Sequence, residues 1–173
     1  MMMAISQTAA WVALVFFPAM MVFAALMDVM TMKIRNSLVL ALILGYAVLA
    51  PLAGVPFVEI ALSLALAAGV LAIGIMLFSL GWVGGGDAKL AAATVLWLGA
   101  AHILPYLVYT ALIGAVLTVA ILAFRRAKLP ASWRSSEWVD RLHSPKSGVP
   151  YGAAMAPAAL LVFPHTSWAT AIL

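Results

Sequence analysis

Cysteine is absent, which excludes a disulfide framework, a thiol nucleophile and any cysteine-ligated metal site. Acidic residues are scarce: five Asp and Glu stand against nine Lys and Arg in 173 residues. All charged side chains together make up 8% of the chain, too few to solvate the surface of a soluble domain of this size. No polar stretch is long enough to hold a soluble module, so the chain reads as one membrane-embedded domain over residues 1–173. Lys and Arg are also missing from Met1 to Ala10. That segment lacks the basic start of a cleavable signal peptide, and the first apolar run is expected to stay as a helix. What is there is apolar: 67% of residues are hydrophobic and the mean hydropathy is +1.19. The composition is that of an integral, all-α membrane protein. A formal charge of +4 suits contact with anionic lipid, and nucleic acid is not an expected partner.

A membrane-spanning helix takes roughly 20 apolar residues. The pattern predicts six spans, at about Thr8–Met27, Ser37–Ala53, Phe57–Leu80, Asp87–Ala101, Pro105–Phe124 and Val149–Phe163. Pro51, Gly54 and Pro56 mark the turn after the second, and Pro150 and Pro157 are expected to kink the last. Glu59 falls in the first turn of the third span, where the helix dipole favours an anion. Ala61, Ala65, Ala68 and Ala72 form a small-residue ridge on the third span, suited to close helix packing. Lys33 and Arg35 follow the first span, Lys89 follows the third, and Arg125, Arg126, Lys128, Arg134, Arg141 and Lys146 follow the fifth. In a six-span reading every basic residue lies on one side, which marks that side as cytoplasmic and places both termini outside. The one long polar connection, Arg125 to Gly148, is expected to hold a short interfacial helix. Trp138, Val139 and Leu142 would share its face, with Arg134 and Arg141 reaching toward headgroups. A lid or substrate-docking element is the sharper reading of the same segment.

A carboxylate at the edge of a bilayer is costly and is a functional hypothesis by default. Asp87 follows three glycines in Gly84-Gly85-Gly86-Asp87-Ala88-Lys89, where the backbone can break a helix and approach a substrate closely. Asp28 closes the first span at the same membrane face. Two carboxylates sharing a site do not ionise together readily, so one proton is held between them and the pair titrates as a unit. The ionised partner can then draw a proton from water while the protonated one donates to a carbonyl oxygen. Each residue also has a plain reading, Asp28 as an interfacial residue and Asp87 as a helix N-cap. The rival function is a small transporter binding a proton or cation at a broken helix with the same two carboxylates. A third reading is a non-catalytic subunit of a secretion or pilus machine. Ser6, Ser63 and Ser79 lack a His–acid partner, and His102, His143 and His165 do not converge, so neither a serine triad nor a metal site is expected. The glycine run lacks the Gly-Lys-Ser/Thr half of a phosphate loop. No cofactor is expected.

Gly84-Gly85-Gly86-Asp87, followed by Lys89-Leu90, resembles the Gly-x-Gly-Asp motif of the type IV prepilin peptidases. Asp28, followed by Thr31 to Lys33 and then Ile34-Arg35-Asn36, resembles the family's first aspartate motif, with Arg35 standing where the pattern has proline. Pro150-Tyr151-Gly152 is similar to the family's Pro-Tyr/Phe-Gly signature near the C-terminus. The resemblance implies a membrane aspartic endopeptidase that cuts the short basic leader of a prepilin at the cytoplasmic face of the inner membrane. Asp28 and Asp87 would be its catalytic carboxylates. Gly84 and Gly86 would shape the loop that receives the leader, while Lys89 and Asn36 match supporting polar positions. The lack of cysteine resembles the short members that serve Flp-type (Tad) pili in bacteria, or the archaeal preflagellin peptidases, so N-methyltransferase activity is not expected. A prepilin, the bilayer and the pilus assembly machinery are the partners this resemblance implies.

Overall fold

The computed structural model describes residues 2–130, 133 and 136–170, with side chains from Ser6 onward. Among the described residues all regular structure is helical. α1 spans Met2–Thr31, α2 Asn36–Leu52, α3 Phe57–Ser79, α4 Gly85–Leu98 and α5 Ile103–Arg126. α6 spans Glu137–His143, α7 Gly152–Val162 and α8 Ser167–Thr170, and 3₁₀ turns cover Ala100–His102 and Phe163–His165. Each of the six expected spans coincides with a helix to within a few residues. Three segments, Ser6–Thr31, Phe57–Ser79 and Ala100–Arg126, are long and apolar enough to cross a membrane. α4, at 14 residues, is about 21 Å long against a hydrocarbon core of about 30 Å. α7 is shorter still, at 11 residues.

Local chemistry sets the breaks. α1 ends where Met32 takes a left-handed φ of 53° and its N–H bonds the Asp28 carbonyl at 2.7 Å. Gly81, with φ 74°, stops α3 in a conformation that side chains resist. Pro51 lies inside the last turn of α2 rather than beyond it, and the chain turns at Gly54. Pro157 lies within α7, while Pro150 precedes the helix.

α4 is the axis of the bundle. It packs on α3, α2 and α7, and α7 in turn packs on α1 and α5. Leu90 and the run from Ala92 to Leu98 are buried, which is why a helix of modest hydrophobicity can sit here: its neighbours, not lipid, surround it. At the far end of α4 from Asp87, the Trp97 ring meets Phe16, Phe17, Tyr46 and Trp168. Its indole N–H donates to the Leu42 carbonyl at 3.0 Å, so the buried polar atom is satisfied.

One expectation about packing needs correction. Ala61, Ala65, Ala68 and Ala72 are exposed, and α3 instead buries Ser63, Ala67 and Gly74. The rotation is set by one close contact: a Cβ on Gly74 would stand 2.7 Å from the Ala88 Cβ, so only glycine lets α3 and α4 approach there. The short helix in the polar connection is present as α6, with Val139 buried and Trp138 exposed. Arg141 Nη1 donates to the Met30 carbonyl at 2.9 Å. That carbonyl belongs to the last turn of α1, where acceptors lack helical partners and a cation is favoured. Arg134 lies outside the described residues.

Candidate active site

Asp28 sits in the last turn of α1 and is 4% exposed. Burying a carboxylate demands a partner, and one is present. Asp28 Oδ2 accepts the main-chain N–H of Gly152 at 2.7 Å. Gly152 is the first residue of α7, whose leading N–H groups have no partner within the helix, so the carboxylate and the helix start complete each other. A Cβ on Gly152 would lie 2.9 Å from Asp28 Oδ2 and 3.1 Å from the Ile34 Cδ1. Glycine is therefore what allows the donor to come this near.

Asp87 is half-buried in the first turn of α4. It is not the N-cap. Gly84 takes that position, with φ −69° and ψ 138°, and α4 begins at Gly85. The glycine run is thus mostly helical rather than a flexible loop, and the break lies earlier, at Gly81. Gly84 has an ordinary extended backbone, and its lack of a side chain serves proximity: a Cβ there would stand 2.7 Å from Asp87 Oδ2. A Cβ on Gly86 would come 3.2 Å from that of Ile34, so this glycine lets α4 meet the segment joining α1 to α2.

Asp28 and Asp87 line one cavity of about 1210 Å³ and lie within electrostatic reach of each other. Val70, Leu77, Met155 and Tyr151 supply apolar and aromatic wall, while Lys33 and Arg35 line it with exposed basic side chains. Asn36 belongs to the lining; Lys89 does not. Lys89 Nζ donates to Asn36 Oδ1 at 3.0 Å, tying the start of α4 to the start of α2. Of the residues singled out in the sequence, Asp28, Asp87, Gly84, Gly86 and Asn36 therefore share the cavity, and Lys89 stands outside it.

Several contributors were not identified from the sequence as residues that build the site. Gly152 acts through its main-chain N–H, which no side-chain pattern reveals. Arg125, at the end of α5, donates from Nε to the Leu142 carbonyl at 3.0 Å and from Nη2 to those of Ser147 and Gly148 at 2.8 and 2.7 Å. It ties residues 142–148, which lead into Tyr151 and Gly152, to the end of α5. Tyr106 and Thr110, one turn apart on α5, also line the cavity, and their hydroxyl oxygens are buried. Two hydroxyls at i and i+4 on one face of this helix were the available signal.

An all-helical chain with membrane-length segments and two carboxylates facing one cavity defines a membrane protein with an acidic site. Residues 15–119, more than half the chain and including both Asp28 and Asp87, match the type IV leader peptidase family. The chain belongs to that family, and is by that membership a leader peptidase-like protease with a prepilin-like substrate. Neither a curated protein nor a solved structure matches it.

Proposed function

We propose that this protein is an aspartic endopeptidase that removes the N-terminal leader of Flp-type pilin precursors, with Asp28 and Asp87 as its catalytic pair. The observation that carries the reading is the convergence of these two carboxylates, from helices far apart in sequence, on one cavity. In the reaction, the ionised carboxylate takes a proton from water as the water oxygen bonds to the scissile carbonyl carbon. The protonated carboxylate gives its proton to the carbonyl oxygen. The tetrahedral intermediate then collapses: one of its hydroxyls returns a proton to the second carboxylate as the carbonyl re-forms, the C–N bond breaks, and the departing nitrogen takes up the proton the first carboxylate had gained. The Gly152 N–H keeps Asp28 in place throughout, and Gly84 leaves room beside Asp87.

The bundle is a six-span protein of the inner membrane, with both termini outside and the cavity opening toward the cytoplasm. This reading is supported by the basic residues, all of which fall on one side of such an arrangement. α4 and α7 can be short because the longer helices surround them. The pilin precursor meets the protein in the bilayer, beside the pilus assembly machinery. The test is purified protein in detergent with a candidate Flp-type precursor. The parent shortens the precursor, and Asp28→Asn and Asp87→Asn each slow cleavage by at least about a hundredfold while still inserting and folding. Asn variants that cleave at the parental rate would remove both residues from the chemistry.

A further inference from the structure

α2 and α3 both pack on α4 but share no extensive contact with each other, so a gap remains between them above the buried side chains of α4. The result is a second, apolar hollow of about 900 Å³ running beside the carboxylate cavity. Its floor is small: Ala88, Ala92 and Ala93 on α4, with Ala67 on α3. Its walls are large, with Leu40 and Ile43 on α2 facing Leu64 and Ile75 on α3, all substantially exposed. Asn36, Phe78, Gly85 and Ala88 line both this groove and the cavity that holds Asp28 and Asp87. The groove thus ends at the carboxylates, and its only polar residues, Asn36, Ser37 and Lys89, gather at that end.

We propose that this groove receives the apolar membrane helix of the substrate, so that the bond to be cut is delivered to Asp28 and Asp87; the proposal rests on the peptidase reading above. Three features select a helix as occupant. A floor of alanines between walls of Leu and Ile is the relief that lets another helix approach closely, whereas acyl chains gain little from it. Along α4 the groove runs from Gly85 to Leu96, about three helical turns, enough to seat one face of a spanning helix. Continuity with the cavity means that a chain lying in the groove carries its next residues past the carboxylates. The Lys89–Asn36 hydrogen bond marks the polar end, and an apolar helix passing it there would give way to an extended, polar segment.

The experiment compares two substrates on the purified protein. One is a full-length pilin precursor, and the other a short soluble peptide that carries the leader and cleavage site without the apolar helix. Ala68→Trp and Ile43→Trp fill the groove from opposite walls, and neither residue lines the carboxylate cavity. For both variants, KM for the precursor rises about tenfold or more, while cleavage of the short peptide keeps its parental kcat and KM. Precursor and peptide cut as by the parent would overturn the groove as the docking surface and leave it to lipid. Peptide cleavage lost together with precursor cleavage in both variants would also overturn it, since the groove would then act only through the catalytic site. A parent that cuts neither substrate would overturn the peptidase reading, and the groove proposal with it.

Discussion

The Asp28 carboxylate is fixed by a donor 124 residues further along the chain, the main-chain N–H of Gly152. The contact requires that position 152 carry no side chain, since a Cβ would sit 2.9 Å from the accepting oxygen. Gly152→Ala keeps the donor and pushes the carboxylate aside. The expected outcome is a protein that folds with its melting temperature little changed and cleaves ten- to a hundredfold more slowly, because a displacement of about an ångström is enough for such a loss. Kinetics at saturating substrate, alongside a thermal melt, check it; parental kcat would mean that the position of Asp28 tolerates the shift. The two aspartates were legible in the sequence because carboxylates are scarce in it and expensive in a bilayer. Gly152 was legible only through its resemblance to a motif. Its role is a main-chain hydrogen bond, and sequence patterns report side chains. The reason for Gly84 was also hidden: its backbone is ordinary, and the need for glycine appears only once the Asp87 carboxylate is placed against it.

Among the elements, the segment between α5 and α7 is where a single side chain does most to set the geometry. The Arg125 guanidinium holds three carbonyls, at Leu142, Ser147 and Gly148, and Gly148 itself lines the cavity. Arg125→Ala leaves those carbonyls without their charged donor. Hydrogen bonds to charged groups contribute about 1.5–3 kcal/mol each when well formed, and part-exposure here lowers the total, so a loss of about 1–3 kcal/mol is expected. Limited proteolysis should show faster cutting within residues 136–148, while Arg125→Lys recovers little because a point-like ammonium cannot span three acceptors. Proteolysis as slow as in the parent would mean that the segment is held by α6 and Arg141 instead. Helix positions were legible because apolar runs end at Gly and Pro. The rotation of α3 was not, since that helix is apolar all round and its alanines fall on more than one face; the Gly74–Ala88 approach decides it.

At the scale of the whole molecule, two short buried helices are held inside longer ones, and the N-terminal ends of both, α4 at Gly85 and α7 at Gly152, come to the same cavity. That arrangement collects the acidic side chains of α1 and α4 where helix N-termini favour negative charge. The all-helical class followed from composition and apolar runs. The shortness of α4 and α7 did not, because a buried helix and a spanning one are equally apolar. If Asp28 and Asp87 form one catalytic unit, as proposed, residual cleavage in a double-mutant cycle reveals it. Single-turnover rates would be measured for the parent, Asp28→Asn, Asp87→Asn and the combination. Residues that act together are strongly non-additive, so the double variant is expected to be no slower than the slower single one, at least about a hundredfold below the parent. Single losses that multiply in the double variant would contradict it, since Asp28 and Asp87 would then contribute independently.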